Sequence, residues 1–264
     1  MVCLTLYKKA PLVGAFFIAC SLASFAYSAC PLPQETREAR VRYVIDRDTV
    51  RLVDGRRIRL IGLDTPELAR KGQPDEPFAQ AARVRLAELI AANGDRVRLQ
   101  YGAERRDRYG RTLAHLYDDQ GRNLEEILLR EGYARMIAIA PNVALADCHL
   151  AAELDARREG LRLWTVERPI LATSVKRGGF ALVQGRVRRV ERNEGGVWLE
   201  LDGAIVLRVA SKDLPRFGLQ ALTDHVDHQV EARGWIVDRR HAARKGQARW
   251  MLTLTDPATL RRIP

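Results

Sequence analysis

The sequence predicts a mainly β chain with helices: a five-stranded barrel carrying three helices, then a second small β barrel. Two observations carry this. Short β-branched and aliphatic runs broken by turn residues fill residues 42–64, 95–118 and 180–257, and stretches with apolar residues at helical spacing interrupt them. In both parts of the chain the order is three strands, a helix, then two strands.

Taken in order, RYVIDRDTVRLVDGRRIRLIGLD (42–64) reads as three strands, with Asp54-Gly55 as the hairpin signal between the second and third. FAQAARVRLAELIAANG (78–94) has helical spacing and a stop at Asn93-Gly94. DRVRLQY and RTLAHLYD alternate as strands four and five; NLEEILLREG and DCHLAAELDARREG are helices that end at Gly132 and Gly160. Five short strands with a helix between the third and fourth is the order of an OB-fold barrel. From about Thr173 the pattern repeats. FALVQGRVRRVERN, VWLELDG, AIVLRVA, HQVEARGWIVDRR and ARWMLTLTDP read as strands, with KDLPRFGLQALTD as a helix between the third and fourth. A second, OB-like domain over 173–264 is therefore expected after a first domain over 30–168.

Composition limits the function classes. A chain of 264 residues, 47% apolar and 29% charged, suits one or two soluble domains and not a membrane protein. Lys8 and Lys9 followed by an apolar run to Phe25 and then small residues have the layout of a secretory signal peptide over 1–29, with cleavage between Ala26 and Cys30. Export to the periplasm or beyond follows, with a lipid anchor at Cys30 as the minor alternative. Cleavage leaves Cys30 and Cys148, which are expected to form one disulfide in an oxidising compartment, two free thiols being the alternative. No cysteine spacing suits zinc apart from the adjacent Cys148-His149.

Charge is uneven along the chain. Residues 30–168 hold 25 Lys+Arg against 23 Asp+Glu, while residues 169–264 hold 17 against 10, so the C-terminal part carries a +7 excess. That excess favours a nucleic-acid partner, and Trp198, Trp235 and Trp250 are candidate stacking platforms, although a strand tryptophan is more often core. The RRHAARK run (239–245) reads as a basic hairpin loop that either contacts phosphate or is simply solvated. His115 is expected to pack near the barrel, and most other histidines to lie at the surface. No protein partner is indicated, and a monomer is expected.

Four polar clusters fall at strand ends: Asp46-Arg47-Asp48-Thr49, Arg59, Asp64-Thr65-Pro66-Glu67 and Asp107-Arg108-Tyr109-Gly110-Arg111. Each alone reads as a turn. Together they supply what phosphodiester hydrolysis needs. The carboxylates of Asp48 and Asp64 with the Thr65 carbonyl form an all-oxygen set for a hard cation, calcium before magnesium. Arg59 and Arg111 can clamp a phosphate and its transition-state charge. Glu67 remains as an acid or base. Arg59 and Asp64 differ in parity along a strand, so the chain must twist or bulge between them, and Gly62 is the natural place.

DRDT, RLIGLDTPE and DRYGR, in that order, resemble the staphylococcal nuclease (thermonuclease) family over roughly residues 40–165. The resemblance implies an OB barrel with three helices and a calcium-dependent endonuclease acting on DNA and RNA that leaves 3′-phosphates. It implies calcium on Asp48, Asp64 and the Thr65 carbonyl, with Asp46 supporting that loop. Arg59 and Arg111 would meet the scissile phosphate, Glu67 would orient or deprotonate the attacking water, and Arg108 and Tyr109 would touch the neighbouring phosphate. One departure stands out: Ile137 and Ile139 precede Pro141-Asn142 where the family's best-known members carry tyrosines. Base stacking there should be weaker. An inactive nucleic-acid-binding envelope protein is the alternative reading.

Overall fold

The computed structural model describes residues 30–67, 74–241 and 247–264. The expected signal peptide and residues 242–245 of the RRHAARK run lie outside the described residues.

The first barrel is built from β1 (Arg37–Asp46), β2 (Thr49–Leu52), β3 (Arg57–Leu60), β5 (Arg96–Arg106) and β6 (Thr112–Tyr117), closed in the order β1-β2-β3-β6-β5. Closure works because β1 serves two neighbours: Arg37–Arg40 pair with β5, and Val41–Asp46 pair with β2. Alternation supplies the core. Val50, Leu52, Ile58, Leu60, Val97, Leu99, Ala114 and Leu116 all point inward and are buried. Between the third and fourth barrel strands lie a two-residue strand β4 (Leu63–Asp64) and helix α1 (Ala79–Ala92), which buries Ala79, Ala82, Leu86 and Ile90 and stops at Asn93-Gly94, where Gly94 has φ +64°.

Helix α2 (Leu124–Arg130) is capped by Asn123, whose side chain accepts from the Glu126 amide at 2.8 Å, with Glu125 and Glu126 in the first turn. After it come β7 (Arg135–Met136), α3 (Ala146–Arg158) and the one-turn α4 (Leu163–Val166). β7 pairs with β4, a pairing the sequence pattern does not announce because each strand has only two residues. Cys30 and Cys148 are bonded, with Sγ atoms 2.02 Å apart. This bond ties the start of the barrel to α3, and a lipid on the Cys30 sulfur would be incompatible with it.

The second barrel repeats the topology. Its strands are β9 (Gly179–Asn193), β10 (Gly196–Leu201), β11 (Ile205–Ala210), β12 (Gln229–Asp238) and β13 (Trp250–Leu254), with β12 also pairing back to β9. The third and fifth strands are parallel in both barrels, β3 with β6 and β11 with β13. The expected helix is two short ones, α5 (Leu214–Phe217) and α6 (Leu219–Thr223), separated by Gly218 at φ +72°. Edge strands β8 (Ile170–Leu171) and β14 (Leu260–Arg262) extend the sheet beyond the sequence expectation. Among the described residues no helix is long and apolar enough to cross a membrane.

The barrels meet through polar contacts. Arg157 on α3 places both terminal nitrogens on the Glu231 carboxylate at 2.5 and 2.7 Å, and Arg233 donates to Glu153 at 2.7 Å. Glu153, Glu231 and Arg233 are all buried, so these charges are compensated by one another and not by water. The Thr255 hydroxyl donates to the Ala138 carbonyl at 2.8 Å, which pins the Ile137–Ile139 segment to the second barrel.

Candidate active site

The β1–β2 turn, the end of β3 and the loop before β6 converge at one end of the first barrel. Thr49 pairs with Arg59 across β2 and β3, so the Asp48 carboxylate and the Arg59 guanidinium become neighbours. They form an ion pair at 3.1 Å. Thr49 links this pair to Arg111: its hydroxyl donates to Asp48 at 2.8 Å and accepts from Arg111 Nη1 at 3.4 Å. Arg111 is also braced by Asp107 at 2.6 Å. Burial raises the Asp107 carboxyl, but the Arg111 hydrogen bonds outweigh it and the net shift is downward. Thus Arg59 on β3 meets the buried Asp48 carboxylate directly, and Arg111 in the loop before β6 reaches it through Thr49.

These arginines line a pocket of about 410 Å³ with Arg108, Tyr109, Ile137 and Ile139. Tyr109 is exposed, and Arg108 lies 4.8 Å from its ring centroid with a hydrogen bond of 2.7 Å to its hydroxyl. Asn142 fixes the far wall through paired bonds with the Glu104 backbone, both 2.9 Å, and only glycine at 102 leaves room for it.

The carboxylates after β3 open onto an adjoining pocket. At Ile61-Gly62 the chain leaves β3, Gly62 takes φ +86°, and Leu63–Asp64 pair with β7 instead. The break expected at Gly62 is therefore present, and Asp64 beyond it is close enough to Arg59 to feel its charge. A Cβ at 62 would sit 2.3 Å from the His149 ring, so the bend rests directly on that side chain. Asp64, Thr65 and Glu67 line this second pocket. Burial lifts the Asp64 carboxyl above its ordinary range; Arg135 and Arg59 pull it back, and the negative charges of Asp48 and Glu67 push it up.

Arg47 lies between the two groups, and sequence reasoning gave it no role. Its side chain is 3% exposed and pairs with Asp46 at 2.8 Å and Glu67 at 2.7 Å. Its Nε also donates to the Thr65 carbonyl at 3.2 Å. The clue was available within DRDT, where a bulky cation sits between two acids. Arg135 was missed as well: it contacts Asp64 at 3.3 Å and Glu167 at 2.6 Å from a strand too short to be read.

The donor set suits a hard cation. Asp48 and Asp64 supply carboxylate oxygens, and the Thr65 carbonyl keeps a second lone pair beside the one Arg47 uses. Among the described residues, no three acidic groups gather their oxygens within 4.8 Å of one another; Asp48 and Asp64 are each paired with an arginine, Arg59 and Arg135 respectively. Cys30, Cys148 and His149 do cluster, but both sulfurs are consumed by the disulfide.

Beneath the site lies a buried polar group. Glu125 accepts from the Leu116 amide at 3.0 Å and from Asn123 at 2.7 Å, and His115 is 3.8 Å away. His149, expected at the surface, is fully buried, bonds Asn123 at 3.0 Å and meets the His115 ring edge-on. Its burial follows from Cys148, whose disulfide fixes that turn of α3 against the barrel. In the second barrel Trp250 is core, Trp198 is flanked by Arg208 and Arg239, and Trp235 is exposed.

Known proteins are similar to this chain over the first barrel. The family model described as staphylococcal nuclease homologue matches residues 57–166. The thermonuclease of Staphylococcus intermedius is 37% identical over 128 residues, which cover 47% of this chain and 74% of that protein. The thermonuclease of Staphylococcus hyicus is 32% identical over 130 residues, 48% of this chain and 75% of its own. Endonuclease YncB of Bacillus subtilis is 33% identical over 126 residues, 46% of this chain and 58% of its own. The second barrel lies beyond the residues that the family model matches.

Proposed function

The chain belongs to the staphylococcal nuclease family, and from that premise we propose that it is an exported, calcium-dependent endonuclease that hydrolyses DNA and RNA to 3′-phosphate products. That it is a phosphodiester-hydrolysing nuclease accords with its thermonuclease and endonuclease relatives. The observation that carries the finer reading is the convergence of Arg59 and Arg111 on Asp48-Thr49, at 3.1 and 3.4 Å, since two guanidinium groups brought to one place present a ready anion clamp. We assign residues 30–168 to the nuclease domain and 173–264 to a second, nucleic-acid-binding barrel, after a signal peptide over 1–29.

In this reading Arg59 and Arg111 turn from their carboxylate partners to the scissile phosphate and hold the charge that grows on it. Arg108 and Tyr109 take the adjacent phosphate. Glu67, steadied by Arg47, orients the attacking water or removes its proton. Calcium would be held by Asp48, Asp64 and the Thr65 carbonyl, and it supplies positive charge beside the phosphate oxygens. Export is supported by the N-terminal pattern and by the Cys30–Cys148 disulfide, which favours an oxidising compartment.

The test is digestion of single-stranded and duplex DNA and of RNA with calcium, with magnesium and with a chelator, followed by end-group analysis. Cleavage with calcium alone and 3′-phosphate ends are expected. Nucleic-acid binding without cleavage under any metal would instead make this a binding protein.

A further inference from the structure

Strand periodicity gives β12 two different faces. Val230, Ala232 and Ile236 enter the core of the second barrel, while Glu231, Arg233, Trp235 and Val237 occupy the opposite side. That side faces the first barrel. Glu231 and Arg233 are fixed there by Arg157 and Glu153. Two residues further along, the contact opens into a groove, and Trp235 stands at its opening with 44% of its surface exposed.

Trp235 does not stand there unsupported. Phe180 is its cross-strand partner on β9, and the two rings meet edge-to-face with centroids 5.2 Å apart, which holds the indole in place and leaves a face open. The same two rings line two neighbouring pockets. One is shared with Ile137, Ala138 and Ile139; the other with Asp64, Thr65, Glu67 and Arg177. Ile137 and Ile139 also wall the pocket that holds Arg59 and Arg111. A path therefore runs from the guanidinium clamp, over the two isoleucines, past Trp235 to the carboxylates.

Chemistry decides what occupies this path. Ile137 and Ile139 offer apolar surface but no π face; Tyr109 brings a ring to the clamp pocket, but none of the first-barrel residues lining the two pockets of Trp235 and Phe180 is aromatic. Trp235 supplies one from the other barrel. Arg177 is exposed, makes no ion pair among the described residues, and stands on the same wall. An aromatic platform beside a cation is the arrangement that single-stranded nucleic acid needs, a base on the ring and a phosphate on the guanidinium. A protein partner would find apolar surface here too, but would have to cover the acidic cluster and the arginines beside it.

We propose that the second barrel completes the substrate cleft: Trp235 stacks an unpaired base of the strand being cut, and Arg177 contacts a backbone phosphate next to it. This deepens the nuclease reading and rests on it for the position of the scissile bond. It also gives the interdomain ion pairs a purpose, since a stacking residue on another domain is useful only if that domain is held in register.

The test separates binding from cleavage. Full-length Glu67→Gln protein is titrated with a fluorescein-labelled single-stranded oligonucleotide by anisotropy, alone and with Trp235→Ala, Trp235→Phe or Arg177→Ala added. Trp235→Ala should weaken binding roughly 5- to 100-fold, with Trp235→Phe recovering most of it. Arg177→Ala should reduce the slope of log affinity against log salt by about 0.7, the value for one phosphate on a single strand. In the cutting enzyme, Trp235→Ala should raise KM on single strands and leave kcat unchanged. Unaltered anisotropy in Trp235→Ala, with an unfolding midpoint like that of the parent, overturns the proposal even if the wild type cuts DNA. Failure of the wild type to cut, with Trp235-dependent binding intact, overturns the nuclease reading alone.

Discussion

Arg47 ties together three residues of the site, since its guanidinium reaches Asp46, Glu67 and the Thr65 carbonyl at once. Arg47→Met keeps the bulk and loses those contacts, so Glu67 and Thr65 are free to shift. We expect kcat to fall about 10- to 100-fold with little change in KM, as a small misplacement of reacting groups does; an unchanged kcat would contradict the role given to Arg47. Glu125 makes a prediction in pH. Burial pushes its carboxyl up to about 8, so the folded chain keeps a proton that the unfolded chain has released above about 4.5, and stability falls as pH rises between those values. Burial holds His115 down to about 3, which works in reverse: stability is lost as pH falls below 6.5. Above pH 6.5 Glu125 acts without that opposition, and urea unfolding should show a loss of about 2 kcal/mol from pH 6.5 to 8 that Glu125→Gln abolishes. At this scale the acids and arginines at strand ends were readable only as a set, since each cluster alone reads as a turn while the four together supply what phosphodiester chemistry needs. In the buried Glu125–His115–His149 group the packing of His115 was legible from strand alternation, while Glu125 and His149 were not, since helical spacing does not say that their side chains are turned into the barrel.

The Gly62 bend is the element on which the site depends. It ends β3, hands Leu63–Asp64 to β7, and so lets Arg59 and Asp64 serve neighbouring pockets from one segment of chain. Parity along RLIGLD was enough to demand a break there, which is why it could be read without a structure. Its partner strand could not, because Arg135–Met136 is too short to have a period. Gly62→Ala must place a Cβ 2.3 Å from His149 in a backbone region that alanine avoids. A loss of about 2–4 kcal/mol in urea unfolding is expected, and near-wild-type stability would show that the bend does not rest on His149. Helix ends were well marked by Asn93-Gly94, Gly132 and Gly160, all in positive-φ or capping positions. The split of the expected 212–224 helix at Gly218 went unread because the flanking residues remain apolar and helix-compatible.

Across the whole molecule the same strand order appears twice, and the two barrels are joined by buried ion pairs. The repeated topology was legible from the order of strands and turns; the interface was not, since Glu153, Glu231 and Arg233 look like ordinary surface charges in sequence. Removing one partner should be costly: Glu153→Gln leaves Arg233 buried beside a neutral amide, and we expect a loss of about 3–5 kcal/mol, measurable as a lower urea midpoint. A surface-like effect below ~1 kcal/mol would mean that the barrels are not locked. The disulfide closes a separation of 118 residues, and Cys148→Ser should cost about 2–5 kcal/mol by the same assay. The central claim is that the acids and arginines around Asp48 cleave phosphodiesters, and single-turnover cleavage of a short single-stranded DNA in calcium tests it most directly. If the account holds, wild type cuts, while Arg111→Ala and Glu67→Gln each slow the step by about 10²-fold or more and still bind the strand; equal rates in all three proteins would contradict it.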